Sequence, residues 1–553
     1  MAQQLYFSRD TRMFIQFRNP ADNTESPAKL GSGALWEIPI LDGYSFSQTT
    51  NTSEITLAEM ESTAGISRRG RRMFTDSLAP AEWSFSTYIR PFESKAASPV
   101  PTGSVSADAA TEVHAVEEVL WAAMFGADTY VKANGFTRAT NPAVAGGAVL
   151  TPGAASSVLK VTESNRSAMA GFTIFFMIDT ANADPLVYRM PEAVVNEVSV
   201  DFDVDGIATL GWSGMSKEIQ DVSGGVIIGT TAPAYNATTR DGSTVVLGDI
   251  FIDTDNALGR QFNIIKTVPG SGNVSLTPAI DEGTNSTKNF IRNRLTSVSI
   301  ETAEATDKIS TVFPGSSASI TGLTLVDGAV ATAAGHGFAV GDKVFVTGTC
   351  GITISSVDVL QNIEHTITAV PTVNSFTIGG LDLSSGTSGS FSATNLVAAN
   401  GRYSLVLTGG SFTIGNNISY LVPEELGAIN KPLEHVTGSR NAGGTATCYL
   451  TLNDTDRSAG TSRQFFNDLV STGAMAKVVN KFEVTMHIGG ATATGNTTDP
   501  ALKVVFPTAH IEVPTHSIED VISMETNFTA LPTDFGIADE ISSITYFPVD
   551  DYA

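Results

Sequence analysis

The chain is short of positive charge. It carries 32 Lys and Arg against 57 Asp and Glu over 553 residues, a formal net charge of −25. Such an acidic surface argues against a protein whose task is to grip nucleic acid, because phosphate binding needs clustered Lys and Arg. A protein that lets DNA pass without holding it stays open. Charged residues of either sign make up only 16% of the chain, where about a quarter is usual. Cysteine is almost absent. Cys350 and Cys448 cannot make a disulfide framework, which fits a reducing cytoplasm and thiols buried as small hydrophobes. No apolar run reaches the roughly 18 residues of a membrane span, so no membrane partner is expected. The N-terminus, MAQQLYFSRDTRMFIQF, lacks the basic-then-apolar plan of a signal peptide. HExxH, CxxC and GxSxG are all missing. No nucleophile or acid–base set can be assembled, so the expectation is no enzyme, no catalytic residue, no metal and no cofactor.

What is abundant is Gly, Ser, Thr, Ala and Val, with 42% hydrophobic residues and 29 Phe. That mixture predicts a mainly β fold with many turns and a large core. Arg12 to Phe17 and Ala34 to Phe46 read as extended runs. Glu82 to Ile89 alternates, with Trp83, Phe85 and Thr87 on one face. Residues 47–80 have no clean period; so long a connection is usually functional. The spacing of Val113, Val116, Leu120 and Met124 predicts a helix over 108–125, with Asp108 as N-cap and Gly126 as stop. Strands resume at Ser157–Thr162, Phe172–Ile178, Val194–Val204 and Ile207–Trp212.

A long-range repeat organises the rest. RMFIQFRN (12–19) and ALWEIPILDGYSFSQTTN (34–51) resemble RLTSVSIET (294–302) and RYSLVLTGGSFTIGNN (402–417). FTDSLAPAEWSFSTYI (74–89) can be laid without gaps on VTGSRNAGGTATCYLT (436–451). The helix at 108–125 matches a shorter one at 462–472, and DPLVYRMPEA (184–193) matches DPALKVVFPTA (499–509). Four blocks in one order point to tandem duplication. The expected domains are 1–222, a β-rich linker or insertion at 223–286, a discontinuous second domain made of 287–302 and 402–553, and a small β domain at 303–401. That last one replaces a hairpin tip, where an insertion need not disturb its host.

Several short constellations have two readings. DFDVDG (201–206) copies the first half of a calcium loop, yet the twelfth position is Trp212 rather than Glu. The other reading is a hairpin strand entering an Asp-Gly turn. SRRGRRMF (67–74) is the dense basic cluster, with Arg68, Arg69, Arg71 and Arg72. It reads as a subunit contact pairing with carboxylates, as a DNA contact, or as a solvated loop. His510 and His516 flank Glu512, a weak metal pattern. GGVIIG (224–229) lacks the GKS/T of a phosphate loop and reads as a linker turn. Trp36, Trp83, Trp121 and Trp212 read as core packing or as a carbohydrate-stacking platform.

VVNEVSVDFDVDGIATLGWSGM (194–215), GGSFTIGNNISYLVPEELGAINKP (409–432) and FPTAHIEVPTHSIEDVISMETNFTALP (506–532) resemble the strand phrases of bacteriophage major tail tube proteins. The resemblance implies two tandem tail-tube β-sandwich or barrel domains, each with a flanking helix, plus the inserted small β domain. It implies a structural virion protein that polymerises as stacked rings into the tail tube, the conduit for genome ejection. Its partners would be itself, in trimeric pseudo-hexameric rings, and other tail proteins such as the terminator, tape measure and baseplate or tip. Genomic DNA would pass through without specific binding. The protein would belong to the virion and be assembled in the host cytoplasm. Inter-subunit or inter-ring contacts are expected in the long loops at 47–80 and 415–436, with Arg68, Arg69, Arg71, Arg72, Glu424 and Glu425 as candidates. The alternative reading is a receptor- or glycan-binding tail adhesin, suggested by the β-rich insert and the Trp usage.

Overall fold

The structure is a computed structural model. It describes residues 6–17, 35–55, 72–94, 112–125, 149–152, 157–160, 171–180, 183–256, 259–281, 290–302, 317–338, 340, 343–354, 357–360, 363–399, 402–405, 407–423, 430–451, 462–470, 482–489, 500–518, 520–532 and 539–547.

The fold is mainly β. A first strand set comprises β1 (Thr11–Phe17), β2 (Leu35–Ile38), β3 (Ser45–Ser47), β4 (Ala81–Tyr88), β5 (Phe172–Thr180), β6 (Ala183–Asp203) and β7 (Thr209–Ser216). A second comprises β8 (Ser297–Thr302), β9 (Arg402–Leu405), β10 (Leu407–Gly415), β11 (Asn441–Tyr449), β12 (Phe482–Gly489), β13 (Ala501–Ile511), β14 (Thr515–Ser517), β15 (Ser523–Ala530) and β16 (Ser543–Phe547). Period-2 sequence produces these strands: β4 alternates inward Ala81, Trp83, Phe85 and Thr87 with outward Glu82, Ser84 and Ser86.

The first set pairs, all antiparallel, in the order β2, β1, β5, β6, β7, β4, β3. The second pairs in the order β9, β8, β12, β13, β15, β11, β10. The registers correspond as well. Ile15 faces Ile174 and Trp36; Ile300 faces Val484 and Tyr403. Ala193 faces Phe172 and Ala509 faces Phe482, each beside a bulge. Gly214 faces Val195 and Trp83; Phe528 faces Ile511 and Gly444. The two sets thus agree in strand order and at the bulges beside Ala193 and Ala509.

The two sets are joined edge to edge. The end of β6 lies antiparallel to β10, from Glu197 opposite Gly415 to Asp203 opposite Gly409. A single core runs behind both, including all four tryptophans, Tyr403, Phe412, Phe465 and Tyr546.

Two short helices cover that core. The first is α1 (Glu118–Met124), shorter than its expected span. Residues 112–115 form a strand instead, pairing with Pro91–Ser94; Val113 is β-branched, a residue type enriched in strands. Asp108 and Gly126 lie outside the described residues. The Trp121 indole N–H donates to Tyr546 Oη at 2.5 Å, and Tyr546 Oη donates to buried Glu117 at 2.7 Å. The Asn416 amide donates to Met124 O at 2.9 Å, so a residue of the second set satisfies a carbonyl at the end of α1. The second helix, α2 (Ser462–Leu469), packs Phe465 against Tyr403 at 5.1 Å.

Between the sets, Val226–Gly229, Ile250–Asn256, Gly259–Thr267 and Ser275–Pro278 form a four-stranded sheet whose first pair is parallel. It packs on the face of β1 and β5 away from the main core, with Phe262 stacked on Phe14 at 4.1 Å. Strands from Ser317–Ser319 to Thr394–Ala399 make a seven-stranded sheet with a core of its own around Val344, Val346, Ile367 and Phe376. They lie between β8 and β9, yet Glu301 and Arg402 still face each other in the ladder.

Candidate functional site

A sheet with one face on the core must show the other to something. Along the joined sheet that other face carries Glu82 on β4, Glu197, Asp201 and Asp203 on β6, and Glu525 on β15, all exposed. Between them stand hydroxyl and amide residues such as Ser84, Ser213, Ser411, Thr445 and Asn527. Neither Lys nor Arg occurs in β3, β4, β7, β10, β11, β14 or β15, or in β6 from Val194 onward. Ser45 and Ser84 hydroxyls bond at 2.8 Å, and Ser411 and Thr445 at 3.1 Å, so the polar surface is knit across the strands. A face of this chemistry, carboxylates among small polar groups with no cation in these strands, repels a polyanion.

Two hairpins leave the sheet at matching positions, one between β3 and β4, the other between β10 and β11. Thr50–Ile55 pairs with Arg72–Leu78, and Ser419–Leu421 with Glu434–Val436. The expected structureless loops thus begin as ribbons. The two touch: the Leu78 N–H donates to Asn430 O at 2.8 Å. They also expose apolar side chains, with Met73 61%, Phe74 54%, Leu421 55% and Leu433 55% accessible. Of the candidate contact residues, Arg72 opens the second strand of the first hairpin. Arg68, Arg69, Arg71, Glu424 and Glu425 lie outside the described residues.

DFDVDG is the end of β6 and its turn, with Phe202 buried between exposed Asp201 and Asp203 and Gly206 at φ 125°; the hairpin reading fits. No group of metal-ligating side chains is gathered among the described residues. His516 packs edge-on against Phe466 at 4.5 Å. GGVIIG is a turn of 3-10 helix leading into a strand. Both cysteines are buried; burial pushes the Cys448 thiol up to about 12, and the Cys350 thiol up as well. The tryptophans correct the carbohydrate-platform reading. Stacking needs an open ring face, and all four rings are at most 2% accessible. What sequence reasoning missed was the location of the acids, because a net charge does not say which face holds it.

No family model matches the chain. Among curated proteins, the chain is 36% identical over 141 residues to Tail tube protein pb6 of Escherichia phage T5. The match spans 26% of this chain and 28% of that relative. Over that stretch the chain is similar to a phage tail tube protein, in agreement with the resemblance carried by its strand motifs.

Proposed function

We propose that the chain is a non-catalytic structural subunit of a phage tail, polymerising as stacked rings into the tube through which the genome leaves. The carrying observation is the joined sheet: two strand sets of one register, seamed edge to edge, with one apolar face and one acidic face. Repeating that seam closes a ring. Each chain supplies two tube domains, so three chains give a pseudo-sixfold wall. The acidic face lines the lumen, where it repels DNA from all sides. The hairpins at 50–78 and 419–436 reach the adjacent ring or subunit. Arg68, Arg69, Arg71, Arg72, Glu424 and Glu425 are the candidate contact residues of these two loops, the arginines meeting acidic surface on the next protomer. Terminator, tape measure and tip proteins are its partners at the ends and inside, and the finished assembly belongs to the virion.

Electron microscopy of the purified protein tests this. The expected result is discs or tubes with three chains per disc by mass and symmetry. Six chains per disc would remove the tandem reading, and discrete particles that never polymerise would remove the tube.

The inserted residues 303–401 project from the wall and are dispensable for it. Joining Glu301 to Arg402 through a short Gly/Ser turn preserves their pairing in the β8–β9 ladder. The expected outcome is tubes of normal diameter lacking outer density. A folded deletion variant that forms no tubes would place the insert in the wall.

A further inference from the structure

The seam inside the chain has a counterpart that a single chain leaves open. Within the chain, β6 faces β10 with Val200 opposite Phe412 and Phe202 opposite Gly410. Strand pairing equates the end of β6 with β14: Ser199 faces Gly211 as Thr515 faces Glu525. It likewise equates β10 with β3, since Phe412 faces Gly444 as Phe46 faces Trp83. Among the described residues β14 pairs only with β15, and β3 only with β4. Among these residues each keeps one bare edge.

The side chains on these edges fit each other. Ser45, Ser47, Thr515 and Ser517 are exposed and continue the small polar face. At the alternate positions Tyr44, Phe46 and His516 are half-buried, and Ile518 follows at the same spacing one residue beyond β14. Ile518 is 81% accessible, whereas its counterpart Phe202, covered by β10, is 4% accessible. An apolar side chain left bare on a free strand edge invites pairing with another chain. Size is also exchanged: Phe202 lies over Gly410 in the internal seam, while at the open seam the smaller Ile518 would meet the larger Tyr44.

We propose that β3 of one chain pairs antiparallel with β14 of the next, in the register of the internal seam. Tyr44 then lies opposite Ile518, Ser45 opposite Ser517, Phe46 opposite His516 and Ser47 opposite Thr515. The partner is a second copy of this chain, and the proposal rests on the ring reading above. Asn196 O accepts from Asn416 N–H at 2.8 Å at the start of the internal seam. Bonded pairs alternate from there, so Val200 with Phe412 is a hydrogen-bonded pair and Ser199 with Thr413 is not. By correspondence, 45/517 and 47/515 are non-hydrogen-bonded pairs with Cα atoms about 4.5 Å apart, a separation that a disulfide bridges.

Cysteine cross-linking in assembled tubes tests the register, and the native cysteines, both buried, do not compete. Oxidised tubes of Ser45→Cys with Ser517→Cys, and of Ser47→Cys with Thr515→Cys, should give chains linked in closed sets on a non-reducing gel. Ser47→Cys with Ser517→Cys, two residues out of register, should not link. Tubes that form but fail to link in register, or link equally out of register, overturn this seam and leave the tube standing. A parent protein that never assembles overturns the ring and the seam with it. If a cysteine pair itself blocks assembly, Ile518→Asp decides. A soluble, folded variant that no longer polymerises supports the seam, and one that polymerises like the parent overturns it.

Discussion

Replacing Gly214 with alanine is expected to lower the stability of the subunit by about 1–3 kcal/mol, the usual range for overpacking. A Cβ there would lie 2.1 Å from Val194 O and 2.3 Å from Trp83 Cζ2. One neighbour is backbone and the other a fully buried indole, so neither can retreat. The same crowding occurs in the second strand set with the partners exchanged. A Cβ on Gly444 would lie 2.3 Å from Ser411 O and 2.9 Å from Phe528. Trp83 and Gly214 face each other, and so do Gly444 and Phe528: each set holds one large ring and one glycine, on opposite strands. Trp83→Gly alone should cost about 3–5 kcal/mol, as large-to-small core changes do. The double variant Trp83→Gly, Gly214→Phe copies the second arrangement and should recover part of that, with a coupling of about 1–3 kcal/mol. Urea unfolding of the four proteins at fixed concentration gives the cycle. Strictly additive costs would mean that the ring and the glycine do not depend on each other.

Tubes built from Glu197→Lys, Glu525→Lys chains are expected to hold duplex DNA that the parent tubes let go. Both carboxylates are exposed on the polar face, and their field reaches about 8 Å at physiological salt. Reversing them would place roughly six lysines around the proposed ring of three chains, and that many phosphate contacts change affinity by about a thousandfold between 50 and 200 mM salt. Retention of a short duplex by purified tubes across that range reads the effect directly. In phage the same change should leave assembly intact and slow ejection. Parent tubes that bind DNA as strongly as the variant at low salt would show that this face does not meet the genome.

The fold was legible where one side of a strand is buried. Trp83, Phe85 and Thr87 were placed on one face by alternation alone, and all three are buried. Alternation fails where both faces meet solvent. Thr50 to Glu54 are all exposed, so the first hairpin ribbon carries no period and reads as a loop. The repeat was visible, but laying 74–89 on 436–451 without gaps sets Trp83 on Thr445. The strand pairings set it on Gly444 instead. A slip of one residue turns a strand over, and Thr445 indeed belongs to the polar face. The large ring had moved to Phe528 on the neighbouring strand, so no aromatic was left to anchor the alignment. The acidic face was legible only as a surplus of carboxylates; strand pairing gathers Glu197, Asp201, Asp203 and Glu525 onto one side.

Because β6 and β10 belong to one polypeptide, their seam forms during folding, whatever the protein concentration. A tethered encounter of this kind proceeds as if the partner were present at about millimolar levels. The tethered seam can therefore tolerate weak contacts, and it contains Gly409, Gly410 and Gly415 opposite Asp203, Phe202 and Glu197. The open edges have no such tether and must find each other by diffusion. In the proposed ring, half the closures would then be independent of dilution while the other half would set the concentration at which tubes begin to grow.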